Sequence, residues 1–136
     1  MTTLNEAREA VYDRFRTLWA DRTPFTFQND KFESKALKDD WIRVSVLETF
    51  SAQETLGPTG ARRFRRRGRI FGQLFTLAEE GGMANSGGHA HVFRGIFEAT
   101  SFGGVDCNNA VVDEVGPDGK WHQTNISIIF DYEEFK

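Results

Sequence analysis

Arg62-Arg63-Phe64-Arg65-Arg66-Arg67-Gly68-Arg69-Ile70-Phe71-Gly72-Gln73-Leu74-Phe75-Thr76-Leu77 changes character halfway along. Its first eight residues hold six arginines, and its last eight are mostly apolar. In an extended chain Arg63, Arg65, Arg67 and Arg69 share one face at spacings of about 6.6 to 6.8 Å, while Arg62 and Arg66 share the other with Phe64 and Gly68. Both faces of this half are charged, so it is expected to lie outside the core. Residues 70–77 are apolar on both faces and must be buried. A strand that starts outside the core and ends inside it describes a β-arm projecting toward a partner. The alternatives are a solvated edge strand whose arginines block aggregation, and a phosphate-contacting surface.

Working outward, Trp41-Ile42-Arg43-Val44-Ser45-Val46-Leu47 alternates apolar and polar and predicts a half-buried strand reaching about Phe50. Residues 51–60, with Thr55-Leu56-Gly57-Pro58-Thr59-Gly60, have turn chemistry and predict the loop joining it to the arginine strand. Upstream, Thr3-Leu4-Asn5-Glu6 fits a capping box, and Leu4, Ala7, Val11, Phe15 and Leu18 form one apolar stripe of a helix that Asp21-Arg22-Thr23-Pro24 stops. A short extended piece at residues 25–28 follows, then a polar stretch to Asp40 expected to be loop. Downstream, residues 79–88 predict a flexible connection, and His89, Val92, Phe93, Ile96 and Phe97 mark a second helix ended near Gly103-Gly104. Residues 110–115 and 121–132 predict a hairpin around Gly116-Pro117-Asp118-Gly119. The order is α-β-β-β-α-β-β. It implies a single two-layer α+β domain, an antiparallel sheet of about four to five strands with both helices on one face.

The chain of 136 residues carries a formal charge of −3, which disfavours a dedicated nucleic-acid binder despite the basic run. The compensating acids lie downstream. From Glu98 onward there are eight acids against Lys120 and Lys136, and Asp113, Glu114, Asp131, Glu133 and Glu134 are the candidate counterpart of Arg62, Arg63, Arg65, Arg66, Arg67 and Arg69. Cys107 is the only cysteine, so no intramolecular disulfide forms and a reducing compartment is expected. No segment reaches the roughly 18 apolar residues of a membrane span, and the N-terminal residues lack the pattern of a signal peptide. A cytoplasmic location is expected.

No catalytic or metal signature accompanies these features, and neither enzyme activity nor a cofactor is expected. His89 and His91, two apart on a helix, point away from each other and cannot chelate together. His122 has no nucleophile elbow or orienting partner at a recognisable spacing. Gly57-Pro58-Thr59-Gly60 lacks the Gly-Lys-Ser/Thr ending of a phosphate loop. Asn125-Ile126-Ser127 falls inside a predicted strand, where a glycosylation sequon has no meaning.

A set of ordered motifs resembles the tail-terminator-like proteins of phages and prophages. These are Trp41-Ile42-Arg43-Val44-Ser45-Val46, Thr55-Leu56-Gly57, Gly60-Ala61 running into the arginine stretch, Gln73-Leu74-Phe75, Ile96-Phe97-Glu98, Gly104-Val105, Glu114-Val115-Gly116, Gly119-Lys120-Trp121-His122-Gln123 and Phe130-Asp131-Tyr132-Glu133. The resemblance covers nearly the whole chain and departs at residues 79–93. It implies a small antiparallel sheet with helices against it, and a subunit of a homo-oligomeric ring, typically hexameric. That ring would cap the tail tube, end its polymerisation and offer a surface to a head-completion protein. The expected places are the bacterial cytoplasm during assembly and the virion tail, and the expected partners are further copies of the chain and the tail tube protein. The alternative is a nucleic-acid-binding module using the arginine strand, with Phe64 and Phe71 as base contacts.

Overall fold

A computed structural model describes residues 2–28, 39–78 and 82–136. Helix α1 (Leu4–Trp19) begins at the predicted capping box: the Glu6 amide donates to the Thr3 hydroxyl, and the Thr3 amide donates to the Glu6 carboxylate. Ala7, Val11 and Phe15 are buried as expected, but the stripe ends on Trp19, not on Leu18, which is exposed. The Trp19 indole reaches the Thr23 hydroxyl just beyond the helix and anchors that end in the core.

Five strands follow the predicted places and a sixth is added. They are β1 (Phe25–Phe27), β2 (Trp41–Gln53), β3 (Arg63–Leu77), β4 (Ser101–Phe102), β5 (Val105–Asp118) and β6 (Trp121–Phe135), in the spatial order β1-β2-β3-β6-β5-β4. The domain is α+β, with a larger sheet than the four to five strands expected. It is also mixed, because β1 runs parallel to β2 while every other pair is antiparallel. β2, β5 and β6 run longer than the sequence suggested: β2 reaches Gln53, and β5 takes in Gly116 and Pro117 of the expected turn, so that β5 and β6 meet at a tight turn after Asp118. The predicted loop over residues 29–38 lies outside the described residues.

The predicted β-arm is corrected. The basic half of β3 pairs with β2 as far as Gln53 opposite Phe64, and with β6 as far as Phe135 opposite Arg63. The arginine half therefore remains an inner strand of a three-stranded ribbon, with its main-chain groups satisfied on both sides. That placement also removes the solvated-edge alternative.

Helix α2 (Gly82–Phe97) corrects a second expectation, since it occupies residues 82–88, where a flexible connection was predicted. Glycine costs a helix about 1 kcal/mol per residue relative to alanine, so Gly82, Gly87 and Gly88 argued against one. Packing overrides that cost. Ser86, Ala90, Phe93 and Phe97 form a buried stripe on the sheet, and the Ser86 hydroxyl takes a hydrogen bond of 3.0 Å from Thr124. Gly72 in β3 lets the Phe93 ring press on the strand, where a Cβ would stand 3.0 Å from it. The helix ends at Phe97, earlier than expected, with Ala99 in a left-handed conformation. Gly103 and Gly104, also at positive φ, turn the chain between β4 and β5.

Both helices pack on one face of the sheet, around Phe15, Ile42, Val44, Ile70, Leu74, Phe93, Phe97, Ile126, Ile128 and Phe130. The opposite face holds a smaller cluster of Trp41, Phe75 and Trp121, in which Trp41 and Phe75 stack with centroids 4.3 Å apart.

Candidate functional site

Strand alternation sorts β3 into two columns. Arg66, Gly68, Ile70, Gly72 and Leu74 lie on the helix side, and Arg63, Arg65, Arg67, Arg69, Phe71 and Gln73 on the opposite side. Gly68 is obligatory at the junction of the two halves, because a Cβ there would overlap the Leu47 carbonyl oxygen and the Phe130 ring.

The arginines of the run differ in their surroundings. Arg66 is the most enclosed, with its guanidinium 3.1 Å from the Glu134 carboxylate and side chains 14% and 15% exposed. It also donates to the Ser51 hydroxyl and lies over the Phe64 ring. Arg67 donates to Asp131 at 2.9 Å, and this hydrogen bond, followed by the charge of the same carboxylate, raises the guanidinium pKa further above its ordinary value. Arg63 bridges Glu54 at 3.0 Å and Glu133 at 3.6 Å, and Arg65 shares Glu54 at 3.1 Å. Arg62 donates to Thr59 in the loop. Arg69 makes no ion pair among the described residues.

The acidic residues predicted as a counterpart thus divide. Asp131, Glu133 and Glu134 stand at register positions facing Arg67, Arg65 and Phe64, and three of the arginines meet them within one chain. Asp113 and Glu114 lie at the other end of the sheet, opposite Asn125 and Thr124, and are exposed. Asp113 and Arg69 nevertheless border one shallow recess on the outer face, together with Asn109, Val111, Ser127 and Ile129.

Two upstream carboxylates were absent from the sequence reading. Glu54 pairs with Arg63 and Arg65, and Glu48 accepts a 2.9 Å hydrogen bond from the Tyr132 hydroxyl. Burial, then the hydrogen bond to Glu48, raises the phenol pKa above its usual value. The hairpin between β2 and β3 carried the signal for Glu54, since closing it at the Thr55 loop places Glu54 beside Arg63, and the Glu54 amide donates to the Arg63 carbonyl.

The histidine and cysteine candidates are dispersed. His89 lies between Asp40, at 3.0 Å from Nε2, and Arg22, which donates to Nδ1 at 2.8 Å. His91 is exposed, and His122 stands in β6 opposite Thr76. Burial pushes the Cys107 thiol up to about 12, which keeps it neutral and unreactive. Among the described residues no group of three His, Cys, Asp or Glu side chains is placed to hold a metal ion. No described helix is long and apolar enough to cross a membrane.

The helix-free face also exposes large apolar side chains. Leu47 is 44% exposed, Ile129 37% and Val111 57%, and Leu47 and Ile129 flank Arg69 on neighbouring strands.

These features define a small two-layer α+β domain with an ion-paired ribbon and an open sheet face. Among the solved structures that match the chain, one has a TM-score of 0.71 and 18% sequence identity over 100% of this chain and 99% of the other. At that identity the likeness shows the fold alone. No family model and no curated protein matches the chain.

Proposed function

We propose that the chain is a non-enzymatic structural subunit of a phage tail, which closes into a homo-oligomeric ring on the tail tube, ends tube polymerisation and presents a surface to a head-completion protein. The observation that carries this reading is the helix-free sheet face, where Leu47, Val111 and Ile129 stand exposed around Arg69. Apolar groups clustered on a face that the described helices leave open suit contact with another protein. The motif resemblance across nearly the whole sequence and the α+β architecture support the same reading.

The arginine run takes a different role from the one its sequence suggests. Arg63, Arg65, Arg66 and Arg67 are paired with Glu54, Glu133, Glu134 and Asp131 of the same chain, so the run's charge is largely spent within the ribbon. This weakens the nucleic-acid reading, because phosphate contact would have to displace those carboxylates.

The test is to add the purified chain to a polymerising tail tube protein from the same genome and image the tubes by electron microscopy. Capped ends and arrested elongation are expected. Tubes that grow to the same length distribution, with bare ends, would sink the reading.

A further inference from the structure

We propose that the free edge of β5, residues 111–115, docks as an added strand on the free edge of β2, residues 47–53, in a second copy of this chain. The inference rests on the ring reading for the identity of the partner, and adds the contact that closes the ring.

Two edges of the sheet are left open among the described residues, and they lie at opposite corners. On one side β4 pairs with β5 only at Val105 and Asp106. Past that point the Ala110 amide donates to Glu98 at 2.9 Å, and its carbonyl accepts from Arg94 at 3.5 Å. Both partners come from the α2 side, so the Ala110 main chain faces away from β6. Alternation turns the N–H and C=O groups of Val112 and Glu114 the same way, where no described strand meets them. On the other side, among the described residues, β1 pairs with β2 from Ile42 to Val44, with two flanking hydrogen bonds, from the Ile42 amide to the Pro24 carbonyl and from the Gln28 amide to the Val44 carbonyl. Among the described residues, β3 is the only strand beside β2 from Leu47 to Gln53.

Direction and chemistry favour joining these two unlike edges. β2 and β3, β3 and β6, and β6 and β5 are each antiparallel, so β5 runs opposite to β2. A sheet continued in the same orientation into a neighbouring copy therefore pairs β5 with β2 antiparallel. Main-chain hydrogen bonds would supply affinity and alternate side chains the specificity. Exposed Val111 and Val115 would meet exposed Leu47 and Phe50. Asp113, on the outer face, would approach the side of the sheet that carries Arg69, which lacks an ion pair among the described residues. Pairing β5 with its own copy would instead crowd four carboxylates into one short ladder. Joining unlike edges head to tail generates a closed ring when the rotation per copy allows it.

The experiment is sedimentation of the full chain up to about 1 mM, combined with amide hydrogen exchange. Glu114→Pro removes an outward N–H at an edge position where proline is tolerated, while Glu114→Gln keeps the N–H and removes only the charge. Wild type and Glu114→Gln are expected to associate, Glu114→Pro to associate roughly tenfold more weakly or not at all, and the Val112 and Glu114 amides to gain protection in the assembly. Association of Glu114→Pro as tight as wild type, or equal exchange of those amides in monomer and assembly, overturns the inference and leaves the ring reading standing. Should Glu114→Pro fail to fold by circular dichroism, amide protection in the wild type decides. A wild type that stays monomeric overturns the strand docking too, and the ring reading is then judged by the tube ends alone.

Discussion

The two halves of β3 do the same topological work by opposite physical means. From Ile70 to Leu77 the strand is held by burial, with Ile70 and Leu74 inaccessible to water between the helices and the flanking strands. From Arg63 to Arg69 it is held by main-chain pairing, and four of its arginines meet carboxylates of β6 or Glu54, mostly in a setting open to water. An inner strand can thus be polar on both faces when most of its charges find partners close by. The energies differ, because burial acts through the hydrophobic effect, whereas exposed ion pairs are screened by solvent and contribute little.

That contrast can be broken by substitution. Leu74→Ala removes a fully buried side chain and should cost about 2 to 5 kcal/mol in denaturant unfolding. A cost below about 1 kcal/mol would show that the apolar half is not the source of stability. At the junction, Gly68→Ala forces a methyl group against the Leu47 carbonyl and the Phe130 ring, with an expected loss of about 1 to 3 kcal/mol. Wild-type stability in that variant would mean that β2 and β6 are looser there than the structure describes. Smallest is the basic half itself. Arg66→Ala, which leaves Glu134 partly enclosed without its partner, should cost about 1 to 2 kcal/mol, whereas Arg67→Ala should leave the unfolding midpoint unchanged. Equal effects at the two positions would erase the distinction between the enclosed and the exposed arginine.

Much of the architecture was legible. The capping box at Thr3, the alternation in β2, the split character of β3 and the C-terminal hairpin are local signals, and the structure contains all four. The parts that were not legible depend on distant contacts. The first turns of α2 are helical because Ser86 and Ala90 are buried against the sheet, which no property of a glycine-rich segment announces. The parallel pairing of β1 with β2 and the two-residue strand β4 follow from where the chain returns in space. In the candidate surface the arginines were evident, but their partners were half misread, since Glu54 and Glu48 lie upstream and Asp113 and Glu114 stand at the far end of the sheet.

The sequence by itself determined the class of fold, the exposed and buried halves of β3, and the excess of acid that balances its arginines, because periodicity and composition are properties of neighbouring residues. Only the tertiary structure decided that the arginine strand lies inside the sheet, that most of its charge is met within one chain, and which two edges are left open among the described residues. Those outcomes depend on strand order and register, which bring together residues such as Arg66 and Glu134 from distant parts of the chain.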